Sequence, residues 1–160
     1  MSQNSLPAAE TVTSAYAPIV RRVVRGILRH AHDAEDAEQE TLCRILEHLP
    51  QFEDRGSLEG WVRKIAVRTS LRLLRRRRYL GWFLEEVPAR EATPPDPDVI
   101  RPLYDALDRL SARERAVFVL HYQEGLGFAE VAATIGCAEA TARNYAFRAS
   151  QKLRRLLPKR

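Results

Sequence analysis

The sequence predicts an all-α protein made of two small helical domains joined by a Pro-rich linker, the C-terminal one a helix-turn-helix. Three observations carry that prediction. In both halves apolar residues recur at three- and four-residue steps, the pattern of helices with one buried face. Between the halves, residues 85–98 hold Pro88, Pro94, Pro95 and Pro97 among several charges, the composition of a linker. Near the end, a short apolar helix, a glycine turn and a longer arginine-rich helix follow one another, the spacing of a helix-turn-helix. The 160 residues are 45% hydrophobic, enough to build a core in one domain or two small ones. The expected division is a flexible tail over 1–13, a first helical domain over 14–79, the linker over 80–98, and the helix-turn-helix domain over 99–160.

The first helix is expected from about Ser14 to His30, with Tyr16, Ile19, Val20, Val23, Ile27 and Leu28 on its apolar face and Pro18 in its first turn. Asp33 is expected to cap a second helix that runs to about Leu49. Its first turns are acidic (Glu35, Asp36, Glu38, Glu40), which suits the helix dipole. Its expected core face is Ala34, Ala37, Leu42, Ile45, Leu46 and Leu49, and Pro50 marks its end.

The third helix, Ser57 to Arg78, is the most informative stretch of the chain. Leu58, Trp61, Val62, Ile65, Ala66, Thr69 and Leu73 form its packed face, and Ser57 can cap its start. From Trp61 to its end it contains no acid, while Arg63, Lys64, Arg68, Arg72 and Arg75 to Arg78 are cationic. A solvated surface helix usually mixes charge signs to gain i,i+4 pairs. A packed helix with an unrelieved basic face points instead to a polyanion such as nucleic acid. The net charge of +5 and a pI near 9.6 agree.

Tyr79 to Leu84 form a short apolar patch, with Trp82 and Phe83 as anchors for the linker. A helix from Val99 to Leu110 follows. Ser111 with Glu114 makes an S-x-x-E capping box for the next helix, whose inward residues are Ala116, Val117, Leu120 and Tyr122, and which ends near Gly125. Phe128 to Ile135 is the short helix of the helix-turn-helix, Gly136 its turn, and Glu139 to Leu157 the recognition helix. On that last helix Ala142, Ala146, Ala149, Leu153 and Leu156 are expected inward. Arg143, Asn144, Phe147, Arg148, Gln151 and Arg155 are left outward. Arginine and asparagine near the start of a recognition helix can reach guanine or adenine edges in the major groove. Lys152, Arg154, Arg155, Lys159 and Arg160 are suited to phosphates.

Other classes find little support. Cys43 and Cys137 are far apart, with no CxxC pair, so a disulfide framework is not expected and a reduced, cytoplasmic setting is. No apolar run is long enough to span a membrane. His30, His32, His48 and His121 show no metal-ligand spacing with either cysteine, and there is no phosphate-binding glycine loop or nucleophile elbow. No enzyme activity, cofactor or metal is expected.

Taken in order, these segments resemble the extracytoplasmic-function (ECF) sigma factors of bacterial RNA polymerase. HDAEDAEQETLCRILEHL resembles the family's acidic helix. GSLEGWVRKIAVRTSLRLLRRRR resembles its basic promoter helix. LDRLSARERAVFVLHYQEGLGFAEVAATIGCAEATARNYAFRASQKLRRLL resembles its C-terminal helix-turn-helix. The resemblance covers about Tyr16 to Leu157 and implies that the protein directs core polymerase to specific promoters. It implies that Glu35, Asp36 and Gln39 contact the polymerase clamp helices. Arg63, Lys64, Arg68, Arg72, Arg75 and Arg76 would engage the minus-ten element, and the loop Phe52 to Ser57 would take a flipped base. Thr141, Arg143, Asn144, Phe147 and Arg148 would meet the minus-thirty-five element, with the flap of the second-largest subunit and an anti-sigma factor as further expected partners. Arg68 and Arg72 depart from the family, which usually has Asn and Asp there, and Tyr145 stands where Arg is frequent. Short polar groups able to contact a base are thereby exchanged for phosphate-seeking cations.

Two other classes remain in view. The segment LSARERAVFVLHYQEGLGFAEVAATIGCAEAT also resembles the helix-turn-helix of response-regulator output domains, so a DNA-binding regulator independent of polymerase is one alternative. A sigma-like module that sequesters an anti-sigma factor is the other. The linker allows the two domains to sit either closed or open.

Overall fold

The computed structural model describes residues 9–53, 56–80 and 97–157, and among these the chain is helical without strands. Residues 81–96 of the expected linker, with the Trp82–Phe83 patch, the loop residues Asp54 and Arg55, and the terminal Lys159 and Arg160 lie outside the described residues.

Helix α1 spans Ala9–Ile27, starting five residues earlier than its periodicity suggests, and Val12 in the supposed tail is buried. Pro18 therefore stands in the middle of α1 rather than in its first turn. It removes the N–H that the Ser14 carbonyl would accept, but both residues are exposed, so water can take that carbonyl. Helix α2 spans Ala31–His48. Its N-cap is His30, which makes no side-chain cap bond, so Asp33 is not the cap. Asp33 is buried one turn further in, where its carboxylate meets Arg77 Nε at 2.6 Å. The buried stripe of α2 is Ala34, Ala37, Thr41 and Ile45; Leu46, expected in the core, is 38% exposed. Those buried positions are three and four residues apart, and Leu46 falls beside the stripe. A 3-10 turn, Leu49–Gln51, buries Leu49.

Helix α3 spans Leu58–Leu80. As expected, Ser57 Oγ accepts the Gly60 N–H at 3.3 Å. Val62, Ala66, Val67, Thr69 and Ser70 are buried, and Ser70 satisfies its hydroxyl by donating to the Ala66 carbonyl at 2.8 Å. Helices α1, α2 and α3 pack pairwise around Val20, Val23, Val24, Ile27, Ile45 and Val62.

Helix α4, Pro97–Asp108, begins inside the expected linker. Helix α5, Ala112–Phe118, opens with the capping box: the Ser111 N–H donates to Glu114 Oε2 at 2.8 Å, and the Glu114 N–H donates to Ser111 Oγ at 3.3 Å. Instead of running on to Gly125, α5 passes into a π turn, Val119–Gln123. The wider turn rotates Tyr122 outward to 54% exposure, while Val119 and Leu120 fill the core. Tyr122 was thus wrongly expected inside; its hydroxyl meets Ser150 Oγ at 3.1 Å.

Helix α6, Phe128–Ile135, and α7, Glu139–Leu156, flank the turn at Gly136. Ala142, Ala146, Ala149 and Leu153 are buried, as periodicity requires; Leu156, expected inward, is 45% exposed at the helix end. Gly136 adopts φ +78° while its N–H closes on the Ala132 carbonyl at 2.9 Å. A Cβ there would meet no atom within 4 Å, so only backbone strain opposes a side chain. Gly136→Ala is accordingly expected to cost about 1–2 kcal/mol in denaturant unfolding; an unchanged midpoint would refute the strain assignment.

The two helical units close on each other. One buried cluster runs from Val12 and Val20 through Val62 and Val117 to Ala146, so the core is continuous across both. Helix α1 packs on α5 and the π turn, and α3 packs on α5 and α6. Gly26 permits the closest approach: a Cβ at that position would lie 2.8 Å from Val119 Cγ2.

Candidate nucleic-acid interface

The basic face of α3 survives folding only in part. Arg68, Arg75, Arg76 and Arg78 are exposed with no ion-pair partner among the described residues. Arg72 pairs with Glu40, and Arg77 with Asp33. The hydrogen bond from Arg72 holds the Glu40 carboxyl below the usual carboxylate range against a smaller opposing effect of burial. Arg63 is the most withdrawn: it bonds Glu59 one turn back, and its Nε faces Glu124 Oε2 of the second unit at 3.5 Å. Lys64 is half-buried.

Three of these free cations, Arg68, Arg75 and Arg78, line a cleft of about 1010 Å³ between the two units. Arg68, Arg75 and Arg78 face Arg113 at the start of α5 and Gly136 in the helix-turn-helix turn, over a floor that includes Trp61. No acid lines this cleft among the described residues. Trp61 is half-buried and packs against Phe52 with ring centroids 5.3 Å apart.

On α7, Arg143, Asn144, Phe147 and Arg148 all reach solvent, and Thr141 is half-buried in the first turn. Phe147, a large apolar ring, is 62% exposed. Arg143 is held in place: its guanidinium donates to Glu139 Oε1 at 2.6 Å through Nη2 and 3.2 Å through Nε, and lies over the Phe128 ring at 4.8 Å. On α2, Glu35, Asp36 and Gln39 are exposed near the N-terminal end, where His32 approaches Asp36 at 3.8 Å. The structure therefore places the three groups of candidate residues on three exposed faces, with Arg63, Lys64 and Thr141 only partly exposed.

Three residues at the junction were passed over in the sequence. The side chain of Glu124 has no exposed surface, and Arg22 grips it with two bonds, Nε to Oε1 at 2.6 Å and Nη2 to Oε2 at 2.9 Å. The hydrogen bond from Arg22 keeps the Glu124 carboxyl below its ordinary value despite burial, and the same bond raises Arg22. Arg115 is buried and donates to four carbonyls: Ile27 at 3.0 Å, Leu107 at 3.1 Å, and Asp108 and Leu110 at 3.3 Å. Burial pushes its guanidinium down from the usual arginine value. Ile27 ends α1 and Asp108 ends α4, so one side chain caps the negative ends of two helix dipoles from both units.

Comparison with known proteins fits this architecture. Residues 12–79 match the family model described as Sigma-70 region 2, and residues 100–153 match Sigma-70, region 4. Both are regions of transcription initiation factors of the sigma-70 type. The sigma factor CarQ of Myxococcus xanthus is 30% identical over 94% of this chain and 89% of its own. The ECF sigma factor SigM of Mycobacterium tuberculosis is 30% identical over 86% of this chain and 71% of its own. The ECF sigma factor SigE of Mycolicibacterium smegmatis is 32% identical over 98% of this chain, which spans only 64% of SigE. Among solved structures, the sigma factor RpoE in complex with the anti-sigma factor NepR from Bartonella quintana superposes with a TM-score of 0.76 at 26% identity, over 92% of this chain and 94% of RpoE. The chain belongs to the ECF sigma factors of RNA polymerase, which direct core polymerase to promoters. Among the described residues no helix is long and apolar enough to cross a membrane.

Proposed function

We propose that the first unit, within residues 14–79, docks on the polymerase clamp helices through Glu35, Asp36 and Gln39 and engages the minus-ten element through α3. Lys64, Arg68, Arg72, Arg75 and Arg76 meet the DNA backbone there, and Arg63 joins them once its contact with Glu124 is exchanged for a phosphate. The second unit, within 99–160, presents Thr141, Arg143, Asn144, Phe147 and Arg148 to the minus-thirty-five element. Arg143 and Asn144 read base edges; Arg148 clamps the backbone. The observation that carries this reading is the combination in one chain of an exposed acidic turn on α2 with exposed basic faces on α3 and α7, only part of whose cations are paired with acids. A regulator that acts without polymerase has no use for the acidic turn.

The protein works in the cytoplasm, where polymerase is, and requires no cofactor or metal for this role. A NepR-like anti-sigma factor is a fitting regulator, since RpoE, whose fold this chain shares, was solved in such a complex. Run-off transcription from a promoter library with added core polymerase tests the reading, and Asp36→Arg provides its sharpest variant. Asp36 is exposed, so folding should be intact by circular dichroism while polymerase affinity falls at least tenfold. Unaltered affinity would remove Asp36 from the docking face.

A further inference from the structure

The side chain of Arg143 is not free to wander. Glu139, one turn earlier on α7, binds it from one side, and the face of Phe128, the first residue of α6, lies beneath it at 4.8 Å. Phe128 is itself braced. The His121 ring stacks on it with centroids 4.1 Å apart and planes inclined by 24°. His121 is in turn tied to the π turn's exit by Nδ1 at 2.8 Å from the Leu126 carbonyl, and its ring meets Tyr122 edge-on at 4.8 Å. A column of contacts therefore runs from the π turn through His121 and Phe128 to the guanidinium of Arg143.

A guanidinium over an aromatic face is attracted by the ring quadrupole and keeps its planar fork oriented. A bidentate contact with a guanine edge needs that fork in one orientation, and an arginine already oriented loses less side-chain freedom when it binds. We infer that Phe128 is a positioning residue for base reading: it aims Arg143 at the minus-thirty-five element from the neighbouring helix, with His121 as its brace. This rests on the proposed role of Arg143 and deepens it by making sequence preference depend on a residue that need not touch DNA.

The test uses holoenzyme assembled from the full chain and core polymerase, and measures promoter binding across a library randomised in the minus-thirty-five element. Phe128→Leu keeps apolar bulk but removes the ring; Phe128→Tyr restores it. The expected result is a two- to fivefold loss of discrimination at a single base position in Phe128→Leu, about the fold-change of an exposed cation–π contact. Discrimination returns in Phe128→Tyr, and Phe128→Leu has no further effect in an Arg143→Ala background. The inference is overturned if Phe128→Leu weakens all sequences equally, or if its effect persists without Arg143. Discrimination lost in Arg143→Ala but intact in Phe128→Leu overturns the positioning role alone. Discrimination unchanged in Arg143→Ala overturns both that role and the reading of Arg143 on which it stands.

Discussion

Replacing Arg115 by methionine is expected to lower stability by about 3–5 kcal/mol. Methionine fills much of the same space but donates nothing. The Leu107 carbonyl would keep the Leu110 N–H at 3.1 Å, but the Ile27, Asp108 and Leu110 carbonyls would lose the donor that Arg115 supplies at the junction of the two units. A buried carbonyl left unpaired costs roughly 1–3 kcal/mol, the carbonyl of exposed Asp108 can turn to water, and losses around one side chain do not add independently. Two helix ends would also lose a cation from their negative poles. For a chain of this length the change amounts to a fall of roughly 6–20 °C in the thermal midpoint. Arg115→Lys should recover only part of it, because an ammonium is a point donor while the carbonyls surround a planar fork. A midpoint for Arg115→Met within 2 °C of the parent would show that water replaces the lost bonds.

Glu124→Arg is expected to drive the two units apart. Glu124 has no exposed side-chain surface, and its charge is matched by Arg22 at 2.6 Å and Arg63 at 3.5 Å. Reversing it puts three guanidinium groups together around a buried side chain, although Arg22 itself is half-exposed. Breaking a fully buried pair costs about 3–5 kcal/mol, and the exposure of Arg22 brings the cost here below that range. The cost can be relieved by opening the junction, so small-angle scattering should record a larger radius of gyration while helix content by circular dichroism is retained. A scattering curve identical to the parent's would sink this account. The same carboxylate sets a pH dependence. The bond from Arg22 depresses its pKa, so its contribution to closure is fully present above the ordinary glutamate value of 4.5 and is lost as pH falls through the lower folded value. Glu124→Gln, which keeps the shape without the charge, should flatten that acid limb.

Much of the local architecture could be read from the sequence because its signals are local. Ser111 and Glu114 are three residues apart, and their reciprocal bonds are made within one turn. Gly136 announces a left-handed turn by its lack of a side chain, and the alanines of α7 recur at helical steps. Where the reading failed, the deciding partner was distant or the backbone departed from regular period. Arg22 and Glu124 are 102 residues apart, and Arg115 and Ile27 are 88 apart. In sequence each looks like an ordinary solvated charge, since desolvation is a property of tertiary structure. Tyr122 was misplaced because a π turn shifts every later side chain around the axis, which a fixed 3.6 period cannot anticipate. Asp33 looked like a cap because aspartate before an apolar run usually is one; the basic tail of α3, reaching back with Arg77, gave it another partner. The candidate site was legible to the same extent. The cationic face of α3 was visible, but the acids that occupy Arg63, Arg72 and Arg77 come from Glu59, Glu124, Glu40 and Asp33, three of them on other elements.

That partial occupation bears on how ionic strength acts on the protein. A free arginine that meets a phosphate displaces condensed cations from the DNA, and each such contact steepens the fall of affinity with added salt. Arg63, Arg72 and Arg77 do not begin free. When one of them turns to a phosphate, a carboxylate is left behind to collect a cation from solution, which offsets the one released. On the proposed mode of binding, promoter affinity responds to salt according to the uncommitted arginines of α3, and more gently than the run of basic residues from Arg63 to Arg78 would imply.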